Sequence, residues 1–430
     1  MSKIDIPKIK KIHFIGIGGI GVSALARMML LEWKHVSGSD VTLSEITDDL
    51  ARLGAKIHEG HDAAHVPYGC DAVVYSPAVR GNNPELLSAR ERGIVAYSYP
   101  EMLGRASEGK KTIAVSGTHG KTTTTAMLAE IFVHAKKDPT VVVGSMLGKQ
   151  KSNFIGGKGK YFIVEACEYR RSFLYLSPHI LVITNIDNDH LDYYGTLRNV
   201  QKAFNELARK VPKGGIIVCD PKDKKVKPAL VGVRAQIIDY TKEHVPKLPV
   251  PGEHNRKNAK AARAAARAAG VSAKNADAAL AKFHGTWRRF EYKGKMKNGA
   301  LVYDDYAHHP TEIRATLAAL REQYPKKRII VAFQPHLYSR TKLLLKDFAK
   351  SFNGADIVIF ADIYAAREID DGTTHSRDLI QSIGVKKKLA VEYAGTLTKV
   401  SKAIAREARH GDIVVTMGAG DIYKIIEKLA

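Results

Sequence analysis

The sequence predicts an α/β protein whose three domains are each built around a mostly parallel sheet. Strand and helix patterns alternate from one end of the chain to the other, which is typical of parallel α/β layers. The chain has 430 residues, more than one hydrophobic core usually organises. The pattern also restarts twice, so we predict domains at residues 1–106, 107–284 and 285–430.

The first domain is predicted from a strand over Ile12–Ile17, a glycine turn and a helix over Gly21–Leu31. A second strand should end at Ser39-Asp40, and a later one should cover Ala72–Tyr75. The stretch from Pro100 to Glu108 has the composition of a linker.

The second domain should begin with a strand at Thr112–Val115 and a helix at Thr122–His134. An alanine- and arginine-rich segment, Ala259–Ala269, favours a helix. In the third domain, helices should separate successive strands in a doubly wound order. The strands predicted for these two domains are Phe162–Glu165, Ile180–Thr184, Ile216–Cys219, Leu301–Tyr303, Arg328–Phe333, Ile357–Phe360, Ala390–Tyr393 and Ile413–Met417.

Composition excludes several classes of protein. No apolar stretch reaches the roughly 18 residues of a membrane span, and the N-terminus lacks the features of a signal peptide. The three widely spaced cysteines favour a reducing, cytoplasmic setting. The net charge is +23, with basic clusters at Lys222–Lys227, Arg256–Arg267 and Lys386–Lys388. These clusters lack interleaved aromatic residues, so a solvated basic surface is favoured over a nucleic-acid site.

A glycine-rich turn, Gly16-Ile17-Gly18-Gly19-Ile20-Gly21, separates the first strand from the first helix. Such glycines let the backbone approach a pyrophosphate, which the helix N-terminus then stabilises. Asp40 ends the next predicted strand, where a ribose-binding acid is expected. Taken alone, the motif is typical of NAD or FAD sites, although a turn that only packs helix on strand remains an alternative. It predicts a diphosphate site and leaves the ligand open.

A second loop, Ser116–Thr123, also lies between a strand and a helix. The backbone of such a loop can surround phosphates, while Lys121 reaches the terminal phosphates and the Thr122 hydroxyl binds Mg²⁺. The spacing departs from the common pattern, because Val115 occupies the place of the first glycine. A glycine-lysine-threonine sequence that opens a helix after a strand nevertheless indicates a nucleotide site.

Two polar residues follow predicted strands of the same domain. Glu165 ends one strand, and His190 lies in the run 185–190 after the next. In a parallel sheet both emerge at the edge where ligands bind, so they are candidate Mg²⁺ ligands. Histidine is an unusual magnesium ligand, and a surface role for His190 stays open.

Four late motifs indicate polar loops that face a ligand, without defining the chemistry. They contain no paired-cysteine or His-Glu-x-x-His pattern, so no zinc site is predicted. The motifs are Gly252–Asn258, Trp287–Phe290, Asp304–Pro310 and Phe333–Arg340.

In this order, and together with Ser76–Val79 and Asn83–Glu85, the motifs resemble the Mur ligases over essentially the whole chain. The resemblance implies an N-terminal Rossmann-like domain for a UDP-sugar, a central P-loop ATPase-like domain and a C-terminal Rossmann-like domain for an amino acid. It also implies ATP-dependent amide-bond formation through an acyl phosphate. Residues 16–21, 165–169 and 304–310 resemble the branch that adds L-alanine to UDP-N-acetylmuramate, or the related branch that adds a tripeptide in cell-wall recycling. Residues 333–336 with Arg340 and Thr341 favour the alanine-adding branch.

The resemblance assigns roles to residues at matching positions. It places the UDP-sugar on Gly16, Gly18, Gly19, Gly21, Ser39, Asp40 and Ser76. It places ATP on Gly117, Thr118, His119, Gly120, Lys121, Thr122, Thr123, Asn255, Asn258, Arg289 and Asp305. It implies a catalytic set of Lys121, Glu165 and His190, Mg²⁺ on Thr122, Glu165 and His190, and the amino acid on His308, His309, His336 and Arg340.

The partners implied are small molecules, with no nucleic acid and no membrane, and a monomer or weak homodimer. One segment departs from the family pattern. Between Tyr240 and Gly252 the chain is short and lacks the small β-meander that the family inserts there. A dehydrogenase would leave the Gly117–Thr123 loop without a role, and a basic nucleic-acid-binding regulator would explain none of the ordered motifs.

Overall fold

A computed structural model describes residues 6–147, 152–384 and 389–429. It contains three separate sheets, and the fold class predicted from the sequence is confirmed. The basic cluster Lys386–Lys388 lies outside the described residues. No described helix is long and apolar enough to cross a bilayer.

The first sheet is wholly parallel, with strand order β3-β2-β1-β4-β5. The strand order reverses direction at β1, so the crevice between β1 and β4 is where such sheets bind ligands. Its strands and helices are β1 (Lys11–Ile15), α1 (Ile20–Leu31), β2 (His35–Asp40), α2 (Glu45–Arg52), β3 (Lys56–Glu59), β4 (Ala72–Tyr75), α3 (Pro84–Glu91), β5 (Val95–Ser98) and α4 (Tyr99–Ala106).

The linker predicted for Pro100–Glu108 is wrong, because helix α4 occupies most of it. The Glu101 carboxylate accepts hydrogen bonds from the backbone N–H and the hydroxyl of Ser98, each at 2.7 Å. Pro100 lies in the first turn, where proline costs no helical hydrogen bond. A serine followed three residues later by a glutamate is a helix-start signal, and a proline in the first turn is compatible with it.

The second sheet has the order β12-β11-β10-β6-β9-β7-β8 and is parallel except for the β7–β8 pair. We call that pair the β7–β8 arm. The elements of this section are β6 (Lys111–Ser116), α5 (Lys121–His134), β7 (Thr140–Leu147), β8 (Ser152–Ile155), β9 (Tyr161–Glu165), β10 (Ile180–Ile183), α6 (Leu191–Tyr194), α7 (Leu197–Arg209), β11 (Ile216–Cys219), β12 (Gln236–Asp239), α8 (Glu253–Ala268) and α9 (Ala273–Leu280).

The third sheet has the order β13-β14-β18-β15-β16-β17, with only β13 antiparallel to its neighbour. Buried aliphatic and aromatic side chains cover both of its faces. Its elements are β13 (Glu291–Lys295), β14 (Leu301–Asp305), α10 (Pro310–Gln323), β15 (Ile329–Phe333), α11 (Tyr338–Leu343), α12 (Leu345–Ala349), β16 (Ile357–Ala361), α13 (Ser376–Ile383), β17 (Ala390–Gly395), α14 (Leu397–Glu407) and β18 (Ile413–Met417).

The chain forms two compact units. The first holds residues 1–186, 200–244 and 259–280, with the first two sheets, and the second holds residues 187–199, 245–258 and 281–430, with the third sheet. Residues 243–252 are all described and include no strand, as expected for the shortened segment. The domain boundaries at residues 106 and 284 stay predictions.

Within the basic segment Arg256–Arg267, one arginine departs from the solvated surface that we predicted. Arg263 is largely buried and pairs with Glu243 and Asp277, and Arg267 also pairs with Glu243. The charge of Arg263 therefore serves an internal ion pair, whereas Arg256 and Arg267 remain exposed to solvent.

Candidate active site

The glycine turn between β1 and α1 is tightly constrained. Gly16 has a φ of +77°, and a Cβ built there would lie 3.0 Å from the Cβ of Ser76. The Gly18 N–H donates to the Asp40 carboxylate at 2.8 Å. The structure thus brings Gly16, Gly18, Asp40 and Ser76 together at the carboxyl ends of β1, β2 and β4. The Asp40 carboxylate stabilises the glycine turn by accepting the backbone N–H of Gly18.

Two other predicted sugar ligands support this turn. The carbonyl oxygen of Ser39 accepts the Gly16 N–H at 2.8 Å, while its buried hydroxyl donates to Glu85 at 2.6 Å. Gly21 packs against the ring of Tyr99, because a Cβ at Gly21 would come within 2.6 Å of it. Neither Glu85 nor Tyr99 was assigned a role from the sequence.

The second loop joins β6 to α5, and residues that follow β10 hold it in place through hydrogen bonds. Gly117 and Gly120 have φ values of +134° and +81°, which favour glycine. The Asn185 side chain accepts from the His119 N–H at 2.9 Å and donates to the His119 carbonyl at 3.0 Å. The Thr118 N–H donates to the Asn185 carbonyl at 3.0 Å. Asn185 is a loop-holding residue that sequence reasoning missed, although it opens the polar run after β10.

Lys121, the first residue of α5, is bound within its own loop. Its ammonium donates to the carbonyls of Gly117 at 2.6 Å and Thr118 at 3.0 Å, and to the Glu168 carboxylate at 2.9 Å. Burial lowers the pKa of Lys121, but Glu168, Cys167 and Glu165 together outweigh burial and hold that pKa above its usual value. Glu168 belongs to a motif noticed in the sequence, yet its pairing with Lys121 was not foreseen.

Glu165 ends β9 beside the same loop. The Thr122 hydroxyl donates to one carboxylate oxygen at 3.0 Å, and the Gly144 N–H donates to the other at 2.8 Å. Thr122 and Thr123 are buried in the first turn of α5. A hydroxyl oxygen and a carboxylate oxygen side by side are hard donors of the kind that Mg²⁺ prefers.

In the second unit, Arg340 is already paired. Its Nε and Nη2 donate to one oxygen of Asp189 at 3.2 and 3.0 Å, and its Nη1 lies 2.9 Å from His336 Nδ1. Burial raises the pKa of Asp189, but the Arg340 guanidinium and the nearby His190, His308 and His309 together outweigh burial and hold that pKa well below its usual range. A pocket beside this pair is lined by residues 188–192, 339, 340, 343 and 344.

Three histidines lie in the same unit with different environments. His308 and His336 have ring centroids 5.8 Å apart, and burial lowers their pKa values to about 4 and about 2. Both imidazoles are therefore neutral at pH 7. The Nδ1 of His309 accepts the Thr311 N–H at 3.2 Å and caps α10, while its Nε2 donates to the Asn188 carbonyl at 2.8 Å. Both ring nitrogens of His309 therefore take part in hydrogen bonds within the same unit.

His190, the proposed metal ligand, caps the short helix α6 from a left-handed conformation with φ of +51°. Its backbone N–H donates to the Asp189 carboxylate at 2.8 Å. Strain of this kind in a residue other than glycine is often found at functional sites.

Two of the predicted nucleotide residues, Asp305 and Arg289, lie at the start of the third sheet. The Asp305 carboxylate accepts the N–H groups of Phe290 at 2.9 Å and Ala307 at 2.8 Å. Burial raises its pKa to about 6, against the opposing charge of Arg289. The Arg289 guanidinium lies 4.8 Å from the ring centroid of Tyr306.

Asn255 and Asn258 lie in the first turns of α8, where both are buried. The Asn255 amide donates to the Pro251 carbonyl at 2.7 Å. This bond holds the start of α8 in the shortened segment.

Family models match nearly the whole chain in order. They are described as "Mur ligase family, catalytic domain" at residues 11–111, "Mur ligase middle domain" at 115–245, and "Mur ligase, glutamate ligase domain" at 288–420. A UDP-N-acetylmuramate–L-alanine ligase from Clostridium tetani is 42% identical over 99% of this chain and 98% of its own length. The chain belongs to the Mur ligase family. A second such ligase, from Caldanaerobacter subterraneus, is 41% identical to this Mur ligase over 99% of the chain and 98% of its own length.

Solved structures agree with this assignment. A UDP-N-acetylmuramate-alanine ligase from Thermotoga maritima aligns with this Mur ligase at a TM-score of 0.80 and 30% identity, covering 97% of this chain and 98% of that one. A murein peptide ligase from Psychrobacter arcticus aligns at a TM-score of 0.74 and 26% identity, covering 98% of each chain. This Mur ligase therefore shares its three-domain architecture with both branches suggested by the sequence.

Proposed function

We propose that this Mur ligase joins L-alanine to the carboxylate of UDP-N-acetylmuramate and converts ATP to ADP and phosphate. The observation that carries the proposal is the full-length identity of 41–42% to ligases of that name. The site geometry agrees, since the first unit presents a glycine turn suited to a diphosphate and a separate loop suited to a triphosphate.

The reaction begins when the muramyl carboxylate attacks the γ-phosphate of ATP and ADP leaves, which yields an acyl phosphate. The alanine amine then attacks the acyl carbon, loses a proton and expels phosphate. Lys121 offsets negative charge on the transferring phosphoryl group. Phosphoryl transfer of this kind depends mostly on positioning and electrostatics.

Thr122 and Glu165 fit a magnesium site, because their oxygen atoms lie 3.0 Å apart beside the loop. We propose that they hold Mg²⁺ together with His190. When bound there, the ion would supply positive charge that offsets the negative charge of the phosphates.

The remaining ligands are proposed by motif. Gly16, Gly18, Gly19 and Gly21 with the N-terminus of α1 bind the diphosphate of the UDP-sugar, assisted by Ser39, Asp40 and Ser76. The loop residues Gly117, Thr118, His119, Gly120 and Thr123 surround the ATP phosphates. Asn255, Asn258, Arg289 and Asp305 complete the nucleotide site.

Arg340 binds the alanine carboxylate with His336, assisted by His308 and His309. Asp189 holds the guanidinium in place, so the clamp is formed before alanine arrives. A buried guanidinium suits an α-carboxylate, whereas a tripeptide places a peptide carbonyl at that position.

The test is phosphate release with UDP-N-acetylmuramate and a panel of amine substrates. L-alanine should support the fastest release, and glycine and L-serine should be weaker by roughly 10–200-fold, as expected when one small group changes. L-alanine and L-Ala-D-Glu-meso-diaminopimelate should then compete in one reaction whose products are weighed. A dominant tripeptide product would move the protein to the recycling branch. We further propose that it acts in the cytoplasm, where ATP is available, as a monomer or weak homodimer.

A further inference from the structure

The Lys121–Glu168 ion pair is a feature that the proposed reaction does not use. Lys121 is 14% exposed and Glu168 is 3% exposed, so the pair is largely removed from water. Both residues belong to the first compact unit, Lys121 at the start of α5 and Glu168 three residues after the end of β9. Because Lys121 is proposed to contact the ATP phosphates, this ion pair must change when a phosphate approaches the loop.

The lysine has no N–H group to spare. An ammonium has three donors, and those of Lys121 are taken by Gly117, Thr118 and Glu168. To contact a phosphate, Lys121 has to release at least one of these acceptors. Two of them are neutral carbonyls of the loop itself, and the third is an anion.

Exchange of the anion is the least costly change. A phosphate oxygen carries negative charge like the carboxylate oxygen that it replaces, so Lys121 would keep an anionic partner throughout. Both loop carbonyls could keep their bonds, and the loop would keep its shape. The exchange would leave the Glu168 charge close to a polyanion, and like charges at such distances repel strongly outside bulk water.

We infer that Glu168 is a positioning residue that occupies the phosphate-binding position of Lys121 between turnovers and weakens nucleotide binding so that product can leave. This inference rests on the proposed role of Lys121 at the ATP phosphates. Glu168 pairs with the buried Lys121 ammonium when the loop holds no nucleotide, and it forms this pair again when ADP departs. Glu165 differs, since it holds Thr122 and Gly144 and does not pair with Lys121 in the described contacts.

The test measures ATP and ADP binding by calorimetry in EDTA, where no magnesium ion offsets the carboxylates. Glu168→Gln keeps the shape and an oxygen acceptor for Lys121 but removes the charge. We expect it to bind ATP about tenfold more tightly than wild type, the size expected when one nearby like charge is removed. Glu168→Asp keeps the charge at shorter reach and should fall between the two.

The matched control is Glu243→Gln. Glu243 is also a buried carboxylate of the first unit paired with cations, Arg263 and Arg267, but it does not contact the loop. Its loss changes the net charge equally and should leave the ATP dissociation constant within about twofold, because a distant charge is screened. An equal gain in Glu243→Gln would mean that overall charge, and not Glu168, controls binding.

Kinetics supply the second readout. In Glu168→Gln the KM for ATP and kcat should both fall, because ADP leaves more slowly. ATP binding no tighter than wild type in Glu168→Gln overturns the inference, and if that variant does not fold, binding by Glu168→Asp no tighter than wild type does so. A wild-type protein that binds ATP but releases no phosphate with UDP-N-acetylmuramate and alanine would instead overturn the proposed function.

Discussion

Lys121 combines a role in its loop with a proposed role at the phosphates, and the two can be separated. Lys121→Ala should lower phosphate release by about a thousandfold, since it removes the cation at the transferring group. It should also lower the melting temperature, because Glu168 would be left buried without its cation. The double variant Lys121→Ala/Glu168→Gln should recover the melting temperature and remain inactive. More than a tenth of wild-type phosphate release in either folded variant would contradict the assignment of Lys121.

Glu165 is expected to act through charge. Glu165→Gln retains an acceptor for the Thr122 hydroxyl but loses the negative charge that holds a hard cation. The concentration of Mg²⁺ that gives half-maximal activity should therefore rise about tenfold or more, as expected for the loss of an anionic ligand. The measurement is a magnesium titration of phosphate release. An unchanged midpoint would show that Glu165 is not a ligand.

Arg340 should affect alanine far more than ATP. Arg340→Ala should raise the KM for alanine by about 10–100-fold through loss of a charge-assisted contact of about 1.5–3 kcal/mol. Asp189 would also lose its partner, so Arg340→Lys, which keeps a cation, serves as the control for stability. Steady-state kinetics with each substrate varied in turn make the distinction. Equal rises in the alanine and ATP KM values would contradict a specific carboxylate clamp.

The sequence could predict which side chains end strands but not what those side chains contact. Glu165 and Asp305 were identified because they end or follow apolar strands, and Lys121 because it belongs to the glycine-rich loop that opens a helix. Their partners were not, since Glu168 and the N–H groups that Asp305 accepts depend on tertiary placement. The roles assigned to all of these residues stay predictions until they are tested.

At the scale of secondary-structure elements, β1, β2, the segment after β3 and α3 surround a buried hydrogen-bond network centred on Glu85. This carboxylate accepts from Ser39 at 2.6 Å, His13 at 3.1 Å and His61 at 3.2 Å. Burial raises the pKa of Glu85, but hydrogen bonds from His13, Ser39 and His61 and the charge of His13 together outweigh burial and lower the pKa from 4.5 to about 2. The network therefore stabilises the fold above pH 4.5, and this contribution is lost as the pH falls toward 2.

Glu85→Gln should remove that pH-dependent stabilisation. At pH 6 the free energy of unfolding should fall by on the order of 3 kcal/mol, the equivalent of a shift of about 2.5 pKa units. The difference in the free energy of unfolding between variant and wild type should narrow as the pH is lowered from 4.5 to 2. Urea unfolding at a series of pH values measures it. A gap independent of pH would show that the Glu85 charge does not contribute.

Central strands were easier to predict than the elements around them. β4, β11 and β18 were located at their observed bounds because they are short apolar runs buried on both faces. The edge strands β3 and β13 were missed, since lysine and glutamate dominate them and burial is slight. Helix α4 was missed because its proline was given more weight than the serine and glutamate that cap it.

At the scale of the whole molecule, the β7–β8 arm of the second sheet contacts the helix that carries the glycine turn of the first. The buried Asn153 amide of β8 donates to the carbonyl of Ile20 and to the Ser23 hydroxyl at 2.8 Å, both in the first turn of α1. The sequence predicted neither the arm nor this contact, because a single asparagine after an unremarkable segment carries no periodic signal.

Asn153→Ala should therefore impair UDP-sugar use from a distance. We expect the KM for UDP-N-acetylmuramate to rise about three- to tenfold, consistent with one lost buried hydrogen-bonding group, while ATP affinity stays unchanged. Asn205→Ala is the matched control, since its amide also donates two hydrogen bonds, to the carbonyls of Ala229 and Val231, away from α1. Equal kinetic effects of the two substitutions would contradict a specific contribution of Asn153.

The Asn153 contact also limits how such a chain can be recombined. A chimera that takes residues 1–106 from a relative would place a foreign α1 against the native β7–β8 arm. Because Gly156 leaves space for Leu31, whose side chain would clash with any Cβ there, the mismatch would extend along the length of the helix. The section that carries the glycine turn and the arm are thus expected to be inherited and exchanged together, although more than a hundred residues of sequence separate them.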